Sequence, residues 1–182
     1  MSKTYSVEIE GITPYLQNQF SDMDSLETTK KKVIKTSVPK AEDKAYKTAA
    51  GKYYIPSVQL ERCISVAGKS FKGKGRSSLS TVLSAMVTIM PTEIIDFTPQ
   101  QYVEDKQTGV NPNTKGRVVI VRPRYDNWKA KFQLTVDTDD IPDGIMEDIL
   151  RHAGNFVGIG DFRPMKNGKF GRYSVTKFQL MK

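Results

Sequence analysis

Segment 154–172 concentrates the residue types best suited to holding an anionic ligand. It contains five glycines and four cationic side chains between a predicted helix and the last predicted strand. Glycine allows positive φ and close main-chain approach, so backbone N–H groups can face a phosphate. Arginine and lysine add charge and hydrogen-bond donors, and the aromatic rings of the segment offer faces for base stacking. The pattern favours a phosphodiester ligand over the alternative, a solvated loop whose glycines only permit turns.

Two further basic segments extend this charge beyond the glycine loop. Residues 69–76 hold four cations in eight residues, broken by glycines. Residues 21–52 carry many lysines with little hydrophobic periodicity, which predicts an inserted basic arm. The candidate nucleic-acid-binding residues are therefore Lys30, Lys31, Lys32, Lys35, Lys69, Lys72, Lys74, Arg76, Gly158, Gly160, Arg163, Lys166, Lys169 and Arg172.

The overall charge agrees with an anionic partner. The chain of 182 residues has 28 lysines and arginines against 20 acidic residues, a net charge of +8. Nucleic acid is the usual ligand of such a balance, although an acidic protein or a membrane surface would also suit charge alone. The length predicts a single domain.

No apolar run approaches the roughly 20 residues that cross a bilayer, and the first residues lack a signal-peptide hydrophobic region. We therefore expect a cytoplasmic protein without a membrane partner. Cys63 is the only cysteine and lies in an apolar helical pattern, which predicts a core position. With His152 as the only histidine, no His/Cys metal site is expected, and no cofactor motif is present.

The hydrophobic periodicity predicts an α+β fold. The predicted elements are a strand at 4–12, a helix from an N-cap at Ser57 to about Gly68, a β-compatible stretch at 79–97 with two short pieces around Pro91, strands at 117–123 and 128–136, a helix from about 141 to 153, and a strand at 173–180. Alternation places Trp128, Ala130, Phe132, Leu134 and Val136 on one core face.

The order β, α, β, β, α, β is that of a ferredoxin-like, or RRM-like, fold with an antiparallel sheet and two helices on one face. We predict one such domain over 1–182, with insertions at about 13–52 and 98–116. The second insertion is predicted to be a loop or an arm because it holds Pro99, Gly109, Pro112 and Gly116.

Three short motifs, in chain order, resemble the RAMP superfamily, the ferredoxin-like, glycine-loop proteins of CRISPR systems. They are Val7-Glu-Ile-Glu-Gly-Ile-Thr-Pro14, Tyr54-Ile-Pro-Ser57, and the loop from Ala153-Gly-Asn-Phe-Val-Gly-Ile-Gly-Asp-Phe-Arg-Pro164 to Phe170-Gly-Arg172. The nearer resemblance is to the RNA-binding backbone subunits of CRISPR effector complexes. This implies binding of single-stranded guide RNA along a basic face, by subunits that polymerise side by side on it.

The resemblance also implies that segment 158–172 contacts the RNA backbone and that the insertion at 28–52 is a finger-like or thumb-like arm. The chain is short for a member of this family. A stand-alone relative from a virus or a mobile element is equally compatible.

Some RAMP relatives cleave RNA without metal through a histidine, and here only His152 could act in that way. Its place near the end of a helix favours a structural role, because the helix dipole favours imidazolium there. The acidic run from Asp137 to Asp148 fits helix capping better than a magnesium site.

Three hypotheses therefore remain. The first is non-enzymatic binding of single-stranded RNA or single-stranded DNA, with no catalytic residue and no cofactor. The second is a metal-independent endoribonuclease that uses His152. The third is a protein-binding adaptor, or an inhibitor that mimics a CRISPR subunit.

Overall fold

The computed structural model describes residues 2–20, 40–73, 78–110, 115–137, 141 and 144–181. The strands are β1 (Lys3–Gly11), β2 (Tyr15–Leu16), β3 (Tyr54–Pro56), β4 (Val87–Met90), β5 (Ile94–Thr98), β6 (Val103–Val110), β7 (Arg117–Tyr125), β8 (Lys129–Val136) and β9 (Tyr173–Leu180). The α-helices of the described residues are α1 (Ser57–Ala67), α2 (Ser80–Met86) and α3 (Ile145–His152). A π-helical turn, Ala153–Val157, continues α3, and short 3₁₀ turns cover Ala41–Lys44, Gly68–Ser70 and Pro164–Lys166.

The larger sheet has the ferredoxin-like strand order. β1 lies between β8 and β9, and β4 pairs with the other edge of β8, so that the order is β4, β8, β1, β9 with all pairs antiparallel. β5 also pairs with the first residues of β8 and carries β3 at its far edge. The α+β, ferredoxin-like fold predicted from the sequence is confirmed.

The core lies between this sheet and the helices. Every residue of the predicted core face, from Trp128 through β8 to Val136, is buried, and Val7 and Ile9 of β1 join them. Leu60 and Ile64 of α1 and Ile149 of α3 cover that face from the other side. Cys63 is buried as predicted, and its thiol donates to the carbonyl oxygen of Ala153 at 3.4 Å.

The β-compatible stretch at 79–97 proved to be a helix followed by two strands. α2 forms because Leu79 and Leu83 are four residues apart and both are buried, which is helical spacing. The strand pieces on either side of Pro91 are confirmed as β4 and β5.

The insertion at 98–116, predicted to be a loop or an arm, contains a strand. β6 pairs with β7 along its whole length, and β2 adds to β7, which makes a second, three-stranded antiparallel sheet. Segment 117–123 therefore belongs to this second sheet and not to the core sheet. The alternation in β6 is weak because most of its side chains are exposed.

Two helix boundaries also differ from the prediction. Pro56, not Ser57, caps α1, and the Ser57 hydroxyl accepts a hydrogen bond from the Glu93 N–H. α3 begins at Ile145 after Gly144, whose φ is 83°. No helix among the described residues has the length and apolarity to cross a membrane.

Candidate nucleic-acid interface

The glycine loop, residues 158–172, is tied to the turn that follows β1. The Asp161 N–H donates to the Leu16 carbonyl at 2.9 Å, and the Gly171 N–H donates to the Pro14 carbonyl at 2.8 Å. Across the loop, the Ile159 N–H donates to the Gly171 carbonyl at 3.0 Å. The loop is therefore an integral part of the fold, although its two ends are far from β1 in the sequence.

Gly158 and Gly160 have positive φ values, 70° and 75°, as the sequence suggested. A side chain at Gly160 would overlap the carbonyl oxygen of Leu16, and one at Gly158 would meet Pro164 at 2.7 Å. The Gly158 N–H donates to the Ala153 carbonyl at 2.8 Å. These glycines allow close packing within the protein, and the Gly158 N–H does not face an outside anion.

A buried arginine clamps the loop to the second sheet. Arg122, on β7, donates to Asp161 of the loop at 2.7 Å and to Asp105 of β6 at 3.3 Å. Its guanidinium also lies 4.7 Å from the ring centroid of Phe162. Asn18 adds a fourth contact, donating to Asp161 at 3.0 Å. The clamp joins four segments of the chain. None of its members was among the predicted binding residues, although Phe162 belongs to the segment whose aromatic rings were expected to offer faces for base stacking.

A groove of about 590 Å³ lies between α1 and the glycine loop. One wall is the outer side of α1, where Val58, Arg62 and Val66 recur at intervals of four residues. The opposite wall is the loop. The lining includes Ser65, Leu83, Ser84 and Val87 beside α1, and Val157, Gly158, Ile159, Gly160, Asp161, Arg163 and Met165 across from it.

The structure brings part of the predicted basic set to this groove. Arg163 lines it, and Lys166 follows Met165, which also lines it. Arg62 was not predicted, although its position within an otherwise apolar helical pattern was the available signal. Among the described residues, the salt bridges involve none of these three cations, nor Lys69, Lys72, Lys169 or Arg172.

The remaining predicted residues are distributed as follows. Lys69 and Lys72 follow α1 on its exposed C-terminal side, and Arg172 donates to Asn155 at 3.3 Å at the base of the loop. Lys169 is exposed in the loop itself. Lys30, Lys31, Lys32, Lys35, Lys74 and Arg76 lie outside the described residues.

His152 packs between two aromatic rings. Its ring centroid lies 5.5 Å from that of Phe71 and 4.6 Å from that of Phe156. No hydrogen bond joins the imidazole to another described residue. The described residues also contain no group of three or more His, Cys, Asp or Glu side chains that could hold a metal ion.

The open face of the larger sheet carries paired charges. Lys129 lies 3.1 Å from Glu10, Lys131 lies 3.0 Å from Glu8, and Lys177 lies 3.8 Å from the same Glu8 carboxylate. RRM-type RNA binding uses aromatic side chains on this sheet face. Because this face is polar and its cations are paired, the groove beside α1 is the better candidate.

Burial raises the pKa of the Cys63 thiol to about 12, an effect that a hydrogen bond with Tyr173 and the charge of Arg163 partly offset. A thiol of this kind stays protonated at neutral pH and is a poor nucleophile. Cys63 on the groove floor is therefore a packing residue.

A second cluster holds the turn that precedes β3. The Glu42 carboxylate pairs with Lys47 and accepts hydrogen bonds from the hydroxyls of Tyr53 at 2.7 Å and Tyr102 at 2.9 Å. The hydrogen bond from Lys47, followed by that from Tyr53, lowers the pKa of Glu42 from 4.5. Burial, followed by the hydrogen bond to Glu42, raises the pKa of Tyr102 to about 12.

Replacing Glu42 by glutamine should lower the free energy of unfolding by about 1 kcal/mol at neutral pH, because the carboxylate is partly exposed and its contacts are screened. A lowered folded pKa means that this contribution is present above 4.5 and is lost as the pH falls through the folded value. Urea denaturation of both proteins over a pH series measures the difference. A difference that persists unchanged in acid would contradict the assignment to the ionised carboxylate.

Comparison with known proteins supports the fold. No protein-family model matches the chain, and no curated protein matches it in sequence. A chain of the Type III-B Cmr-beta complex bound to cognate target RNA has a similar structure, with a TM-score of 0.60 and 14% sequence identity. The match covers 100% of this chain and 61% of that chain, so this chain spans less than two thirds of its length. The likeness supports the α+β, ferredoxin-like fold described above.

Proposed function

We propose that this protein binds single-stranded RNA without cleaving it, in the groove between α1 and the glycine loop. The observation that carries the proposal is that Arg62 and Arg163 line one concave surface without carboxylate partners among the described residues, and that Lys166 directly follows Met165, which also lines it. An unpaired cation keeps its full charge for a phosphate, whereas a paired cation must first lose its partner.

The lining of the groove suits the other parts of a nucleotide. Val58, Val66 and Met165 give apolar surface beside the cations, and Ser65 and Ser84 give hydroxyl groups. Single-stranded nucleic acid binds where a basic groove follows the backbone and apolar or aromatic groups meet the bases. Lys69, Lys72, Lys169 and Arg172, which the sequence analysis selected as binding residues, would extend the charge beyond the groove.

We propose RNA rather than DNA as the ligand because the similar solved chain comes from a complex that is bound to target RNA. By the same analogy, we propose a CRISPR-related role, in which the protein assembles on a guide-like RNA with copies of itself or with other effector subunits. Gly158 and Gly160 contribute by shaping the loop, and its side chains make the phosphate contacts.

The double variant Arg62→Gln/Lys166→Gln should weaken binding of a fluorescein-labelled single-stranded RNA roughly tenfold or more at low salt. Neither side chain makes a hydrogen bond or salt bridge within the described residues, so their removal leaves the fold intact. The slope of log affinity against log salt should fall by about 0.7 for each phosphate that the variant no longer neutralises. Fluorescence anisotropy over a salt series measures both quantities.

The double variant Lys129→Gln/Lys177→Gln is the matched control, because it removes the same charge from the open sheet face. We expect its affinity to stay within about threefold of the unmodified protein, since charge alone acts weakly at a distance in salt. Equal weakening by both variants would mean that net charge, and not the groove, drives binding. An unmodified protein that binds no RNA at all would overturn the proposed function.

Two further experiments, an RNA cleavage assay and size-exclusion chromatography, test the other hypotheses. Labelled RNA should remain intact after prolonged incubation, since His152 packs against two rings without a hydrogen-bonded partner among the described residues. RNA that is shortened by the unmodified protein but not by His152→Ala would favour the endoribonuclease. Assemblies that survive nuclease digestion on size-exclusion chromatography would favour a protein-binding adaptor.

A further inference from the structure

The π-helical turn after α3 presents an aromatic side chain to solvent. Ala153 and Val157 of the turn are buried, whereas Phe156 between them is 65% exposed. Gly154 sets this orientation because a Cβ there would overlap the backbone of Tyr173, so only glycine lets the turn press against β9. A five-residue turn is one residue wider than an α-helical turn, and such turns are frequent at functional sites.

Phe156 is the outer member of a row of three rings. Its ring centroid lies 4.6 Å from that of His152 with an angle of 31° between the planes. His152 in turn meets Phe71 edge-on at 5.5 Å. The His152 ring, which itself contacts the half-buried Phe71, packs against one face of Phe156 and leaves the other face exposed.

Three cationic residues are close to this row in the sequence or contact a neighbouring residue. Lys69 and Lys72 flank Phe71 in the sequence and are both exposed. Arg172 donates to Asn155, the residue before Phe156, at 3.3 Å. Val157, the residue after Phe156, lines the groove. The aromatic row is therefore adjacent in the chain to the groove lining and to three cations that have no carboxylate partner among the described residues.

We propose that Phe156, backed by His152, is a stacking platform for an unpaired base of the strand held in the groove. This inference rests on the proposed function and adds a base-contacting subsite to it. A base is planar, as the rings are, and can continue the row on the free face of Phe156. On this proposal, Lys69, Lys72 and Arg172 would contact the phosphates on either side of that base.

Phe162, the exposed aromatic side chain of the neighbouring glycine loop, does not have these properties. Phe162 is 43% exposed, but its ring faces the Arg122 guanidinium at 4.7 Å. The structure thus uses Phe162 within the clamp and leaves the outer face of Phe156 free among the described residues.

Two probes test the platform: a fluorescein-labelled single-stranded RNA and an oligomer of the same length with abasic ribose-phosphate units. Phe156→Leu should weaken binding of the RNA by about 5- to 100-fold, since that is the usual effect of removing a stacking ring. Binding of the abasic oligomer should not change. Phe156→Tyr keeps the ring and should bind the RNA as the unmodified protein does.

The platform is overturned if Phe156→Leu leaves RNA binding unchanged, or if it weakens both probes equally. Arg62→Gln/Lys166→Gln should weaken both probes, because it removes phosphate contacts. If that variant weakens binding and Phe156→Leu does not, the proposed function stands and only the platform fails. If the unmodified protein binds neither probe, both proposals fail.

Discussion

Replacing Arg122 by alanine should lower the free energy of unfolding by about 3–5 kcal/mol, the usual cost of removing one partner from a buried ion pair. Arg122 is 1% exposed and bridges Asp105 and Asp161. Without the guanidinium, Asp105 would remain buried without its counter-ion, and Asp161 would retain only neutral donors. Urea denaturation measures the change.

Arg124→Ala is the matched control for this prediction. Arg124 lies two residues later on the same strand and pairs with Asp126, but its side chain is 34% exposed. Solvent screens such a pair, so we expect the free energy of unfolding to fall by less than about 1 kcal/mol. An Arg122 variant as stable as the Arg124 variant would show that the clamp adds no stability.

The contacts of Arg122 with the glycine loop should also affect RNA binding. Asp161 and Phe162 follow Gly160 in the loop, and both contact Arg122. A loop released from the second sheet would hold Arg163 less firmly at the groove. We therefore expect Arg122→Ala to weaken RNA binding even at temperatures at which the protein remains folded.

The central sheet was predictable because each of its strands has one buried face. On β8 the alternation that begins at Trp128 continues uninterrupted to Val136, whereas on β9 it covers Tyr173 and Val175 and is then broken where the register with β1 shifts. Burial on one face imposes a period of two on the sequence, and this signal needs no knowledge of distant contacts. The strand at 173–180 was found with the bounds that the structure has.

The sequence contains no comparable hydrophobic alternation for the second sheet. β6 exposes most of its residues, so its side chains carry almost no period, and its glycine and neighbouring prolines resemble those of a loop. The groove could not be predicted from the sequence either. Arg62 and Arg163 are about a hundred residues apart in the chain, and they line the same groove only because α1 packs on the π-helical turn. Arg122 and Arg124 alternate with Pro123 in the sequence, and nothing local shows that one is buried and the other is not.

The glycine loop shows both the strength and the limit of reasoning from residue types. Of the five glycines in segment 154–172, Gly158, Gly160 and Gly171 have positive φ, whereas Gly154 and Gly168 do not. Whether a glycine leaves room for a ligand or for the protein itself depends on what lies opposite it, and the sequence does not contain that information. Here the loop approaches the turn after β1, which is about 150 residues away in the chain.

Gly171→Ala should therefore disrupt the loop more than positive φ alone would explain. Gly171 has a φ of 68°, and a Cβ there would overlap the carbonyl oxygen of Ile159. That oxygen belongs to the backbone and cannot rotate away, so the chain must shift. The shift would strain two hydrogen bonds, from Ile159 to the Gly171 carbonyl and from Gly171 to the Pro14 carbonyl.

Gly144→Ala is the control that separates the strain of positive φ from the steric overlap. Gly144 has a similar φ of 83°, but an added Cβ meets no atom of the described residues within 4 Å. It should cost only the conformational strain, about 1–2 kcal/mol. Gly171→Ala should cost at least about twice as much, because broken hydrogen bonds and steric overlap add to the same strain.

The two glycine variants should also differ in RNA binding. Gly144 lies before α3, away from the residues that line the groove, so its replacement should leave the affinity unchanged once the protein is folded. Gly171 supports Ile159 and, through it, the groove wall, so its replacement should weaken binding severalfold. Urea denaturation and fluorescence anisotropy on both variants measure these effects. Equal decreases in stability and affinity would mean that φ, and not the contact with Ile159, makes glycine necessary at 171.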